Sequence, residues 1–228
     1  IEKDYGAYSN REVSDSPEVV YEDADLAGVV KPSGMLSEGD RDSLETWAQA
    51  RWDERAQCCH RLDKPTSGVI LIRKNRRLNR EVAELFANHR VRKCYWALTQ
   101  GIWPKTTSSI ELPIALQGDG KLQQVAPSGK PAKTSVRILG QIAAVPASWL
   151  ELILKTGRTH QARVHCAAMH CPILGDAGYG ALPRTDLFGL HARELRFIHP
   201  LTRENISIKS DPPSAWNALL EGVRQLKN

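Results

Sequence analysis

The sequence predicts a strand-rich α+β domain. Three observations carry that prediction: short runs of β-branched and aliphatic residues, amphipathic segments of helical period between them, and an irregular order of the two kinds. A regular βαβ series would alternate strictly, and this sequence does not. Its 228 residues suffice for one large domain or two modest ones with a packed core.

Taken in order, the strands are expected at Glu18–Tyr21, Gly28–Lys31, Gly68–Arg73 and Lys93–Thr99. Further strands are expected at Lys133–Leu139, Trp149–Lys155, Leu190–His199 and Asn205–Lys209. The run Val69-Ile70-Leu71-Ile72 is apolar throughout, and Leu150, Leu152 and Leu154 share one face of their strand. Helices interrupt the strands. Asp42-x-x-Glu45 is a capping box opening a segment that buries Leu44, Trp47 and Ala48. Asn75 caps a helix with Leu78, Val82, Leu85 and Phe86 inward and Arg76, Arg77 and Arg80 outward. Thr159 caps a third helix running to His170, and Pro212-Pro213-Ser214 opens a last one with Trp216, Leu219, Leu220, Val223 and Leu226 on one face. Gly118-Asp119-Gly120 reads as a hairpin tip, and the leading 17 residues as a flexible segment.

Composition narrows the function. With 41% hydrophobic and 25% charged residues, the chain is globular in type, and no apolar run approaches the ~18 residues of a membrane span. Five cysteines, two of them adjacent, read as reduced thiols in a cytoplasm-like compartment. The net charge of +5 is concentrated: Arg73–Lys93 holds eight basic and two acidic residues. Such a cluster fits either a surface that meets a polyanion, nucleic acid first, or an ordinary solvated helix face.

Several familiar sites are absent: the sequence has no G-x-S-x-G, P-loop, G-x-G-x-x-G or H-E-x-x-H. His60-Arg61-Leu62-Asp63 is not a kinase catalytic loop, because Leu62 separates Arg from Asp and no D-F-G follows. His165-Cys166-x-x-x-His170-Cys171 gathers metal-ligand types, but adjacent pairs on a helix point apart and no second half-site exists. Small core residues on a buried face, Ala162, Cys166 and Met169, are the better reading, and no metal is expected.

Cys59–Asn75 (CHRLDKPTSGVILIRKN) is the informative stretch. Pro65 and Thr66-Ser67-Gly68 force a turn into the apolar strand, so Asp63 stands where a rigid scaffold could aim it into a cleft. By itself it could equally be a turn Asp bonding local amides. Two more segments accompany it: the strand Lys93-Cys94-Tyr95-Trp96 and the run Gly157-Arg158-Thr159-His160-Gln161-Ala162-Arg163-Val164-His165. Together these resemble the RluA-type RNA pseudouridine synthases. The similarity extends to Lys31-Pro32-Ser33-Gly34, to Leu174-Gly175-Asp176 with Tyr179-Gly180, and to Leu190-His191-Ala192 with Phe197-x-His199-Pro200.

The resemblance implies a single bilobed catalytic domain over residues 18–228, built on a mixed, mainly antiparallel sheet with flanking helices. It implies conversion of uridine to pseudouridine in structured RNA, a rRNA or tRNA stem-loop, by a monomer that uses no cofactor. By match to HRLD, Asp63 is the catalytic carboxylate, acting either by attack on C1′ or by removal of the C2′ proton. Arg163 is its cationic partner, or else a surface helix Arg. Tyr95 stacks on uracil and offers a hydroxyl for the C5 proton, or else packs in the core. Arg61 fills the gap left by the flipped base, a step C1′ chemistry requires. His60, Arg158, His160 and Gln161 support these residues or touch phosphate, and Arg76, Arg77 and Arg80 grip the backbone without reading sequence. The segment before the first strand is too short for the S4 RNA-binding domain many members carry, which implies a catalytic domain alone. Where the family commonly has His after K-P-x-G, this chain has Met35-Leu36-Ser37-Glu38, which alters local RNA contacts. Two other functions stay open: a non-catalytic RNA-binding or ribosome-assembly factor, and an N-glycosidase that releases free base.

Overall fold

The fold is described from a computed structural model, for residues 16–39, 41–118, 120, 122–142, 146–182, 187–221 and 223–225. Most of the leading segment, Asp119 of the expected hairpin tip and Leu226 of the expected last helix lie outside the described residues. The elements begin with β1 (Glu18–Glu22), β2 (Leu26–Lys31), α1 (Leu44–Arg51), β3 (Gln57–Cys58), β4 (Ser67–Arg73), α2 (Asn79–Ala87) and β5 (Arg92–Gln100). There follow β6 (Ser109–Ile110), β7 (Ile114–Leu116), β8 (Gln123–Val125), β9 (Thr134–Ile142), β10 (Ala147–Leu154) and α3 (Gln161–Ala168). The series closes with β11 (Leu190–Ile198), β12 (Asn205–Lys209), α4 (Asn217–Leu220) and β13 (Val223–Gln225). This is the α+β class expected. Two compact units form: one from the described residues up to Arg92 with Ala192–Asp211, the other from Lys93–His191 with those from Pro212 onward.

In the first unit β1, β2 and β4 form an antiparallel ladder, β3 adds to β4, and β12 pairs with Glu194–Ile198 of β11. Every residue of β4 is buried, and Val69, Ile70, Leu71 and Ile72 have no exposed surface. Burying each such side chain contributes about 1.5–3 kcal/mol, which makes β4 a rigid base for the loop before it. Gly68 starts that strand with φ +119, and a Cβ there would lie 2.3 Å from the Ala192 carbonyl oxygen. Only glycine satisfies both demands. Leu78, just before α2, and Val82 and Leu85 on it pack with Leu26, Val69, Leu71, Phe197 and Ile208.

Both helix starts in this unit differ from expectation. Ser43, not Asp42, caps α1: its hydroxyl accepts from the Thr46 amide, while the Glu45 carboxylate accepts from the Cys58 amide. Trp47 is half-buried, edge-on to Trp52 with ring centres 5.7 Å apart. α2 begins at Asn79, four residues beyond Asn75, whose side chain instead accepts from the Arg77 amide in a local turn. Phe86 on this helix is only half-buried.

In the second unit β5, β10, β9 and β13 run antiparallel side by side, with β6 on β9 and β7–β8 as a separate hairpin. The hairpin falls where Gly118 and Gly120 suggested it. Leu98, Ala147, Leu174, Leu187 and Trp216 form one core, with Trp96 and Trp149 packed against it. α3 starts at Gln161 and ends at Ala168, and Thr159 does not cap it: the cap position belongs to His160, at φ +55. The last helix stops at Leu220, and Val223 enters a strand opposite Ile142 of β9. Backbone pairing with a sheet edge outweighed the helical apolar pattern there.

Among the described residues no helix is long and apolar enough to cross a membrane. No disulfide forms among them, and burial raises the thiol pKa of Cys58, Cys59, Cys166 and Cys171, that of Cys59 to about 12. These thiols therefore pack as apolar groups.

Candidate active site

Asp63 stands on a loop whose backbone is tied down on both sides. Before it, the buried Ser37 hydroxyl accepts from the Leu62 amide at 3.0 Å and donates to the Leu62 carbonyl at 2.8 Å. After it, the Lys64 carbonyl accepts from the Gly34 amide at 2.9 Å and from Lys31 Nζ at 3.1 Å. Ser33 Oγ donates to the Pro65 carbonyl at 2.7 Å, and the Thr66 amide closes a turn onto the Asp63 carbonyl at 2.9 Å. The Lys-Pro-Ser-Gly and Met-Leu-Ser segments are thus a frame for the aspartate loop. The departure from the family's His falls inside this frame, and Ser37 supplies its tie.

Lys31 is the most unusual member of the frame. It is fully buried, and its ammonium also donates to the carbonyls of Pro32 at 2.9 Å and Met35 at 2.8 Å. Burial pushes its pKa down to about 7, and the Asp63 carboxylate is the largest influence acting in the opposite direction.

His60 faces inward: Nε2 accepts from the Leu71 amide at 3.2 Å and the ring rests on Phe86, so it braces the loop against β4. Arg61 is exposed. The basic run beyond β4 is more neutralised than its sequence suggests. Arg73 is buried, with its guanidinium on Gln57 and Asn79. Lys74 pairs with Glu22, Arg77 with Asp25 and Arg80 with Glu84. Arg76 and Arg77 are exposed but precede α2 instead of lying on it. The exposed Arg80–Glu84 pair contributes little to stability and opens readily to a phosphate, whereas Arg77 reaches a buried Asp25. Replacing Arg76, Arg77 and Arg80 by Gln is expected to weaken binding of target and non-target RNA alike. The log–log salt slope should flatten by up to about 0.7 per lost single-strand contact. Stability should move by no more than ~0.5 kcal/mol. Unchanged affinity and slope in filter-binding titrations would mark the run as a solvated face.

In the second unit the G-R-T-H-Q turn is built around Gln161, which is buried and has every polar position used. Its Oε1 accepts from Thr156 Oγ1 at 2.6 Å and the Arg158 amide at 3.1 Å; its Nε2 donates to the Lys133 carbonyl and Thr134 Oγ1, each at 3.0 Å. Gln161 is therefore a structural residue and not a phosphate contact. Arg158 Nε donates to the Pro131 carbonyl at 3.0 Å. His165 is buried, with Nδ1 2.9 Å from Thr134 Oγ1 and Nε2 3.0 Å from the Leu112 carbonyl. Among the described residues no group of three His, Cys, Asp or Glu side chains could hold a metal ion.

Arg163 is buried on α3, not a surface helix residue. Asp176 takes its Nε and Nη2 in a two-point pair at 2.7 and 2.8 Å. The guanidinium carbon lies 4.8 Å from the centre of the Tyr179 ring and 5.6 Å from that of Phe188. Tyr179 also reaches His160 Nδ1 at 2.7 Å with its hydroxyl, which accepts from the Gln123 amide of β8 at 2.9 Å. His160 and Arg163 are thus brought together on one tyrosine. The pair with Asp176 uses two of the five N–H donors of Arg163. Tyr95 lies on β5 opposite Leu152 and is 7% exposed. In the sequence Asp176, Tyr179 and Lys31 stand only as matching letters, and Ser37 only as part of a departure from the family pattern.

A family model described as RNA pseudouridylate synthase matches residues 25–168, a range that holds Asp63, Tyr95 and Arg163. The chain belongs to the RNA pseudouridylate synthase family. Among its relatives, tRNA pseudouridine synthase C of Vibrio cholerae is 33% identical over 230 residues, covering 89% of this chain and 94% of the relative. Ribosomal large subunit pseudouridine synthase C of the same organism is 32% identical, covering 91% of this chain and 69% of the relative. Human RNA pseudouridylate synthase domain containing 1 superposes with a TM-score of 0.73 at 28% identity, over 93% of this chain and 91% of the human one. Membership of this pseudouridylate synthase family agrees with the α+β fold and with the motifs that first pointed to it.

Proposed function

We propose that this protein isomerises uridine to pseudouridine in structured RNA, tRNA or ribosomal RNA, with Asp63 as the reacting carboxylate. Family membership supports the reaction, and the observation that carries the residue assignment is the tied loop around Asp63. A turn aspartate needs no such frame. Here the residues on either side are fixed by Ser37, Gly34 and Lys31. Fixing the backbone holds a carboxylate in one place at the ribose, where attack on C1′ or removal of the C2′ proton both require it charged. The relatives named for tRNA and for ribosomal large subunit support both RNA classes as substrates.

The other roles follow from the match to the family's motifs. Arg163, held flat by Asp176, Tyr179 and Phe188, supplies a fixed cation to the reacting centre. Tyr95 stacks on the uracil and handles the C5 proton. Exposed Arg61 occupies the gap left by the flipped base, while Arg76, Arg77, Arg80, Arg158 and His160 contact RNA backbone. The protein acts as a monomer, and its cysteines suit a reducing, cytoplasm-like compartment. The presence of Asp63, Tyr95 and Arg163 together favours catalysis over a binding factor of the same fold.

Release of tritium from C5 of uridine in labelled RNA tests the reading, since isomerisation replaces the C5–H bond with the glycosidic bond. Tyr95→Phe is expected to slow this release far more than it weakens RNA binding, because the ring remains and the hydroxyl is lost. Equal release rates would remove Tyr95 from proton handling.

A further inference from the structure

Lys93, in the second unit, is a half-buried cation with no carboxylate partner among the described residues. It alternates with Tyr95 onto the same face of β5, the two lying opposite Leu154 and Leu152 of β10. Two residues along a strand span about 6.8 Å, short enough for one nucleotide to touch both side chains. Beyond Leu154 the chain turns through Lys155–Arg158 toward α3, and the Lys93 ammonium lies under that turn. Its Nζ reaches the Thr156 carbonyl at 3.5 Å, the outer limit of a hydrogen bond. A Cβ on the exposed Gly157 would stand 3.0 Å from it, so the glycine lets the turn pass this close without a side chain crowding the ammonium.

An ammonium carries three donors, and here one is used at marginal distance. Lys93 is half-buried, burial pushes its pKa down, and among the described residues no carboxylate pairs with it. The contrast within the chain is plain. Lys31, buried more deeply, has three carbonyls, and Lys133 has Glu111. A partly desolvated cation without an anion costs free energy that a bound anion returns.

We propose that Lys93 binds a phosphodiester of the RNA next to the uridine held at Tyr95. The inference rests on the reading of Tyr95 as a substrate contact. Lysine suits the task because it meets phosphate as a point charge, and Gly157 leaves room for phosphate oxygens above it. Its contribution is affinity and placement of the target nucleotide, without base readout.

The test uses the full chain carrying Asp63→Asn as the parent protein, compared with the same protein further changed by Lys93→Met or by Lys93→Arg. The probe is a synthetic RNA stem-loop with a single loop uridine, its phosphates natural or with one neutral methylphosphonate 5′ or 3′ of that uridine. Lys93→Met is expected to weaken binding of the natural RNA about tenfold and to flatten the salt slope by about 0.7. Lys93→Arg should keep most of the affinity. With the methylphosphonate at the contacted phosphate, the parent and the Lys93→Met protein should bind alike. Thermal melting of Lys93→Met should be unchanged or higher, since an unpaired, partly buried cation is removed. Equal affinity and slope for the natural RNA, or a weakening that no methylphosphonate abolishes, overturns the proposal. So does a lowered melting temperature with unchanged binding, which would make the ammonium a tie for the Thr156 carbonyl. Failure of the catalytic reading is seen separately, as tritium release by the Asp63→Asn protein.

Discussion

Asp63→Asn is expected to lower tritium release from C5-labelled RNA by on the order of 10³-fold or more, the upper part of the range for removing a positioned acid–base or nucleophilic group. RNA affinity should stay within about tenfold, or ~1.4 kcal/mol, because affinity resides mainly in phosphate contacts. The substitution is nearly isosteric. The ties of Ser37 to Leu62, and of Lys31 and Gly34 to Lys64, engage only backbone atoms of the loop, so it keeps its shape. What disappears is the charge, and with it both the attack on C1′ and the removal of the C2′ proton. Stopped-time assays at saturating RNA separate the two effects. Wild-type-like turnover would sink the assignment, and a large loss of affinity with unchanged turnover would recast Asp63 as a binding residue.

Asp176→Asn is expected to cost about 3–5 kcal/mol of stability, the usual consequence of leaving a buried charge without its partner. Asp176 is 1% exposed and Arg163 8%, so water reaches neither group freely. Asparagine can accept at one oxygen only, and the second of the two donors that face Asp176 then meets an amide nitrogen. Turnover should fall as well, because the pair fixes the plane of the guanidinium. Urea unfolding reads the stability loss as a lower midpoint at unchanged slope. A double change, Arg163→Met with Asp176→Leu, should recover much of the midpoint and none of the activity. A loss below about 1 kcal/mol in the single variant would show that the pair behaves as a solvated one.

The strand skeleton was legible in the sequence because β-branched runs and alternation report burial directly. Glu18–Tyr21, Gly68–Arg73 and Asn205–Lys209 fall on or within a residue of the observed strands. Helix starts were read less well. Asn75 and Thr159 are good capping residues by type, yet neither caps its helix. Asn75 serves a loop before α2, and a left-handed His160 precedes α3. Val223 followed the helical apolar stripe but went to a sheet edge at β9, where a ladder of backbone hydrogen bonds was available. At the candidate site the motif letters marked Asp63, Tyr95 and Arg163, and left their supports invisible. A serine at position 37 or an aspartate at position 176 looks ordinary until the fold buries it against the group it fixes. Charge was the least transferable signal: the basic run between Arg73 and Lys93 draws its counter-charges from distant Glu22, Asp25 and Glu194. Lys93, at its end, has no carboxylate partner among the described residues.

The central claim, a carboxylate-dependent isomerisation of uridine in RNA, is tested most directly on unmodified RNA. Total RNA from cells lacking the protein is incubated with the wild-type or the Asp63→Asn protein, and pseudouridine is then mapped at single-nucleotide resolution. The account predicts new pseudouridine at a defined uridine of tRNA or ribosomal RNA with the wild type, and none with Asp63→Asn. RNA that stays unmodified with both proteins, or that loses free uracil to leave an abasic site, would contradict it.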